Sequence, residues 1–190
     1  MEAKHELSRR AALVLAAALP LTTALPPASA ANTPPDQQRG FDFLVGDWRV
    51  RHRKLRKRLV GNREWFDFPG TLSVSPILRG TGNFDRNELA DPNGPYEAHS
   101  LRLFNPATGR WSIWWLDGRA PALDSPVVGM FDGKRGTFFA DDAFEGRPIR
   151  VRTTYEPLSP TTAQWTQAFS DTGGQSWETN WIMDFTRIGR

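Results

Sequence analysis

The chain predicts an all-β fold, an antiparallel up-and-down β-barrel of about ten strands, and three observations carry that prediction. Apolar and polar residues alternate with period two through most of the sequence after residue 40, the pattern of a half-buried strand. The breaks between alternating runs are short and rich in residues that start turns or tolerate positive φ. No long stretch carries helical spacing. Short connections imply antiparallel neighbours, and many strands at roughly 8–12-residue intervals imply a sandwich or a barrel. Of the two, a barrel leaves no open edge to protect.

The strands can be read in order. Trp48, Val50 and His52 alternate with Arg49, Arg51 and Arg53, and Leu72 and Val74 with Thr71 and Ser73. Trp111, Ile113 and Trp115 alternate with Ser112 and Trp114, and Ile149, Val151, Thr153 and Tyr155 with Arg150, Arg152 and Thr154. Trp165, Gln167 and Phe169 alternate with Gln164, Thr166 and Ala168. Trp177, Thr179, Trp181, Met183 and Phe185 read as one face of a last strand. Asn105 to Gly109, Asp132 to Gly136 and Ser170 to Gly174 separate runs as turns. Eight tryptophans and twelve phenylalanines in 190 residues demand burial and exclude a disordered chain.

Ahead of the barrel stands an export signal over residues 1–30. Lys4, Arg9 and Arg10 precede an apolar run from Ala11 to Leu25, followed by Ala28-Ser29-Ala30. A basic start, a short apolar run and an A-x-A site place cleavage after Ala30. Ser8-Arg9-Arg10 adds the twin-arginine feature, with Ala12 where a large apolar residue is usual, so the general secretory route stays open. The run is shorter than the roughly 20 residues of a membrane span and contains Pro20. Residues 31–39 read as a flexible linker and residues 40–190 as one barrel domain. Removing the leader takes Lys4, Arg9, Arg10, Glu2 and Glu6 with it and leaves 21 basic and 19 acidic side chains. That near-balance gives no basis for nucleic-acid binding. With no cysteine, neither a disulfide nor a thiolate metal site is possible.

Phe41-Asp42-Phe43-Leu44-Val45-Gly46-Asp47-Trp48 resembles the opening of DUF1579, a bacterial family of uncharacterised domains. Gly80 to Phe84, Ser100 to Phe104, Trp111 to Trp115 and Trp177 to Trp181 look like the same family, so the resemblance spans most of Phe41 to Arg187. Gly46-x-Trp48 is also similar to the start of calycin (lipocalin-like) barrels. That resemblance implies that Trp48 packs under an arginine near the end of the last strand, here Arg187, to close one end by cation–π stacking. A haem-binding variant of that barrel uses a histidine near the C-terminus, and this chain has none after His99. Ser170 to Trp177 resembles the Asp-box hairpin, with Thr172 where the aspartate is usual; there the box is a folding device, and here it reads as the turn before the last strand.

Seven cations lie between Arg49 and Arg58 with no acid among them. Arg49, Arg51 and Arg53 share an outward face, a solvated strand or a contact for an anionic envelope surface. His52 shares the inward face of Trp48, and with Tyr155, Gln167 and Trp181 it forms the candidate lining of a small-molecule cavity. His99 alternates with Leu101 and Leu103, which permits an inward position too. The leading expectation is an exported protein that binds a small, partly apolar ligand. One alternative is an isomerase or lyase using His52 or His99 as acid or base; another is an envelope-binding protein using the basic strand. Asp141 and Asp142 are adjacent on a strand and face opposite sides, so they make no easy carboxylate pair. The chain carries no nucleophile motif, and the sequence points to no metal site and no cofactor.

Overall fold

The computed structural model describes residues 35–189. The export signal expected over residues 1–30, and residues 31–34 of the expected linker, lie outside them. Ten strands follow one another as an up-and-down meander: β1 Gly46–Leu55, β2 Trp65–Ile77, β3 Gly82–Leu89, β4 Tyr96–Asn105, β5 Arg110–Asp117, β6 Val127–Asp132, β7 Arg135–Phe144, β8 Arg147–Ser159, β9 Thr162–Ser170 and β10 Glu178–Arg187. Each pairs antiparallel with its chain neighbours, and β1 pairs with β10 from Trp48↔Arg187 to Lys54↔Trp181, so the sheet closes into a barrel. Closure satisfies the backbone groups of what would otherwise be two edge strands.

The alternation places the core. In β1, Trp48, Val50, His52 and Lys54 are buried while Arg49 and Arg51 are exposed. Along β8, Ile149, Val151, Thr153 and Tyr155 point inward. The phase in β10 differs from a simple alternation. A bulge between Thr179 and Trp181 leaves Asn180 and Trp181 both buried and Thr179 exposed. An extra residue shifts the register by one, so Trp177 does not share the inner face of Trp181. It sits outside instead, under the Arg152 guanidinium at 4.4 Å. The β9–β10 connection is a turn, as the Asp-box likeness implies. Thr172 occupies the aspartate's place, and its Oγ1 accepts the Ser176 N–H at 2.9 Å.

The odd-numbered strands all run toward one end of the barrel. The other end is plugged by the chain ahead of β1. Phe41 meets the Trp111, Phe131 and Tyr155 rings edge-on at 4.9–5.0 Å, and Leu44 is fully buried. Gln37 belongs to the stretch expected to be a flexible linker, yet it is tied to the barrel. Its amide donates to the Phe131 carbonyl at 2.6 Å and accepts the Phe131 N–H at 3.1 Å, and its carbonyl accepts the Trp111 Nε1–H at 2.8 Å. The polar composition of residues 35–39 concealed this, because Gln37 serves there as a surrogate for missing backbone partners.

Candidate functional site

The open end leads into a half-enclosed lumen cavity of about 380 Å³, within the usual range for small-molecule sites. Its walls come from seven strands. Trp115, Trp165, Trp181 and Phe169 supply the apolar surface, and Ser100, Thr153, Tyr155 and Gln167 the polar groups. The rings are held in fixed orientation: Trp115 and Trp165 both meet Trp181 edge-on, at 5.8 Å and 5.2 Å. Gln167 Nε2 donates to Asn180 Oδ1 at 3.0 Å, which leaves its carbonyl oxygen without a protein donor among the described residues. Thr153 is 5% exposed, and its Oγ1 has no hydrogen-bond partner among the described residues. An unsatisfied buried hydroxyl costs about 1–3 kcal/mol, so a polar atom brought into the cavity has a waiting partner.

Three of the four residues expected to line the cavity, Tyr155, Gln167 and Trp181, do border it. His52 does not. It is fully buried behind Trp181, whose Nε1–H donates to His52 Nδ1 at 3.3 Å, and it stacks on Phe68 at 4.6 Å. Accepting at Nδ1 puts the proton of the neutral ring on Nε2. That atom lies so close to Gly70 that a Cβ there would stand 2.6 Å from it, which is why this strand position is glycine. Burial, reinforced by the Lys54 charge and opposed by Asp91, pushes the His52 pKa down to about 3.

That depression has a definite consequence for stability. The unfolded chain takes up a proton near the ordinary value of about 6.5, whereas the folded chain resists until about pH 3. Stability therefore falls as pH drops through that window, at up to about 1.4 kcal/mol per pH unit for this one group. His52→Gln should flatten the slope of unfolding free energy against pH between 6 and 4. Equal slopes in both proteins would mean that the ring is not held neutral by the fold.

His99, which the sequence allows inward, faces out. The inner row of β4 is Tyr96, Ala98, Ser100, Arg102 and Phe104. His99 instead stacks on Phe84 at 4.9 Å, and its ring nitrogens lie 2.7 Å from the Asp85 carbonyl and 2.9 Å from Glu97 Oε1. Neither barrel histidine reaches the cavity: Trp181 stands between it and His52, and in β4 Ser100 and Arg102 take the inward places that Leu101 and Leu103 were expected to fill. Asp141 and Asp142 lie at the exposed end of β7 and both border the cavity mouth; Asp141 is 3.5 Å from Arg150. Among the described residues, no group of three His, Asp or Glu side chains is placed to hold a metal ion.

Next to the cavity lies a buried network that sequence reading missed. Arg102 and Asp85 are 2% and 1% exposed, with Nη2 of the first 2.6 Å from Oδ2 of the second. Arg102 Nη1 donates to Asn83 Oδ1 at 2.9 Å, and Nη2 reaches the Tyr155 hydroxyl at 3.3 Å. Asp85 Oδ1 accepts from Asn87 Nδ2 and from the Ser100 N–H, each at 2.7 Å. Burial raises the Tyr155 pKa, with Arg102 opposing, so the phenol is neutral and its position is fixed from behind. The usable signal was the Asn83-x-Asp85-x-Asn87 row facing Arg102, visible only once Asn83↔Arg102 pairing is known.

At the plugged end Arg187 Cζ lies 4.1 Å over the Trp48 ring, the arrangement the calycin likeness implies. The guanidinium also donates to the Phe43 carbonyl at 2.6 Å and the Val45 carbonyl at 2.8 Å. Gly46 has φ +116°, and a Cβ there would stand 2.7 Å from Arg187 Nη1. Glycine in the G-x-W element thus serves both the backbone turn and the arginine's seat. On the outside of β1, Arg51 pairs with Asp67 and Arg53 lies 3.6 Å from Asp184. Two of the three outward arginines are consequently met by carboxylates on neighbouring strands.

No family model matches the chain, and no curated protein matches it. Among solved structures, a redesigned β-barrel aligns over 80% of this chain and 96% of its own, at 12% identity and a TM-score of 0.44. A likeness that weak carries no argument; the closed ten-stranded barrel stands on its own strand pairing.

Proposed function

We propose that the protein is an exported, calycin-like barrel that binds a small, partly apolar ligand in its lumen. One observation carries the reading: an aromatic-walled cavity of about 380 Å³ in which the Thr153 hydroxyl is buried and has no partner among the described residues. The ligand would lay a flat or aliphatic body among Trp115, Trp165 and Trp181 and present a polar edge to Thr153, Tyr155 and Gln167. The export part rests on residues 1–30 of the sequence, and the DUF1579 and calycin likenesses on the motifs quoted above.

The neutral fluorescent probe N-phenyl-1-naphthylamine tests the cavity by energy transfer from the tryptophans. Trp181→Ala and Trp165→Ala should each weaken binding about tenfold, corresponding to about 1.4 kcal/mol of lost contact. Arg49→Gln on the outer face should bind as the parent protein does. Unchanged affinity in both tryptophan variants would place the probe elsewhere and remove the basis for a lumen ligand.

A further inference from the structure

The open end holds a second recess, of about 600 Å³, bordered by the β1–β2 connection, the β3–β4 connection and Arg119. Its walls include five cations, Lys54, Arg56, Lys57, Arg58 and Arg119, against Asp91 and Glu145. Arg119 is committed to Asp117 at 2.7 Å, and Arg56 lies 3.9 Å from Glu64. Lys57 and Arg58 have no carboxylate within ion-pair distance among the described residues. Arg58 is half-buried with its guanidinium 5.7 Å from the Phe144 and Phe169 rings. A partly desolvated, unpaired guanidinium in a concave site attracts an anion.

Lys54 stands at the inner wall. Alternation along β1 turns it into the barrel, away from the outward arginines beside it. It is 6% exposed, with Nζ 3.2 Å from Asp91 Oδ2, 3.0 Å from the Tyr96 hydroxyl and 3.9 Å from the centre of the Trp181 ring. Burial lowers its pKa to about 8; Asp91 works against that shift, and Arg119 and Arg58 add to it. At pH 7 about one amine in ten is then uncharged, against about three in ten thousand for an ordinary lysine. Holding a lysine out of water is unfavourable until its partners offset it, and an apolar residue would fill the same place without that penalty.

We propose that Lys54 is the amine of a carbonyl-binding site, and that the recess takes a small anionic aldehyde or 2-oxo acid as an imine. The Lys54 ammonium passes one proton to Asp91 Oδ2, and the freed lone pair attacks the carbonyl carbon. The C=O π pair moves onto oxygen, which takes a second proton from nitrogen to give the neutral carbinolamine. Asp91 then returns its proton to that hydroxyl, water leaves, and the nitrogen lone pair forms the C=N bond of a protonated imine. Ammonium and carbonyl become iminium and water, with charge conserved and no oxidant or reductant involved. The anionic group of the substrate would pair with Arg58 and Lys57. The recess shares no lining residue with the lumen cavity, and Lys54 adjoins that cavity only through the Trp181 ring.

The chain has four lysines, Lys4, Lys54, Lys57 and Lys134, so site mapping is simple. The full chain is incubated at pH 7 with substoichiometric pyridoxal 5′-phosphate, reduced with borohydride and mapped by peptide mass spectrometry. Lys54 should carry at least tenfold more reduced adduct than Lys57 or the exposed Lys134. Excess inorganic phosphate, or pyridoxal in place of its phosphate ester, should lower Lys54 labelling about tenfold. Arg58→Gln should abolish the advantage of the phosphate ester while leaving slow labelling by pyridoxal. The proposal is overturned if the label falls on Lys57 or Lys134 as readily as on Lys54. It is also overturned if pyridoxal and its phosphate label Lys54 equally, or if phosphate binds and no reduced adduct forms. The unmodified protein carries the deciding measurement, so a variant that fails to fold does not obscure it.

Discussion

Asp85→Ala is expected to destabilise the barrel by about 3–5 kcal/mol, because it leaves Arg102 charged, buried and without its carboxylate. The shift should be read from the urea midpoint at unchanged m-value. Arg102 cannot escape by losing its proton at neutral pH, because a guanidinium stays charged in proteins even without its carboxylate. The double variant Asp85→Leu/Arg102→Met should recover most of the loss, since replacing a buried pair by apolar side chains of similar volume is often neutral. A single-variant cost below about 1 kcal/mol would mean that water reaches the pair. The cycle also separates stability from binding. In the double variant the Tyr155 hydroxyl loses its anchor, so probe affinity should drop while the fold is retained.

Trp48→Ala should cost a similar amount, about 3–5 kcal/mol, as large aromatic truncations in a packed core do. Three losses combine at this site. The indole is 1% exposed and meets Phe185 at 6.1 Å. Its Nε1–H donates to the Leu44 carbonyl at 2.8 Å. Its face receives Arg187, which in turn holds the Phe43 and Val45 carbonyls. Arg187→Lys should cost less, about 1–2 kcal/mol, because it keeps the charge over the ring and loses the fork that spans both carbonyls. If Trp48→Ala and Arg187→Lys proved equally damaging, the fork and not the indole would be what secures the plug.

The strands were legible because alternation is a local property. Trp48, Trp111, Trp165, Tyr155 and Phe185 all lie on the inner faces that period two assigns. The Trp48–Arg187 pairing was legible through resemblance, since the two residues lie far apart in the sequence, on the first and last strands, and no local pattern joins them. What escaped depends on which strand faces which. His99 and Arg102 are equally compatible with an inward place by composition, and only the β3–β4 register decides for Arg102. Lys54 looked like one more cation in a solvated run, although period two from Trp48 already pointed it inward. Its partners Asp91 and Tyr96 lie beyond two strands, so nothing nearby in sequence announced a buried charge. The bulge at Asn180 is a third such case, where one extra residue changed the side of Trp177 without changing the composition of the strand.

The β1–β10 seam gives the folding process an asymmetric shape. Nine of the ten ladders join strands adjacent in the chain and can form as hairpins, whereas the tenth joins Trp48 to Arg187 and Lys54 to Trp181. Hairpins form within microseconds, but a ladder between such distant segments must first meet the entropy of closing a loop through the whole domain. Until β10 docks, β1 and β10 are both open edges able to pair with another molecule. The window in which this protein is prone to associate with itself is therefore set by its last strand.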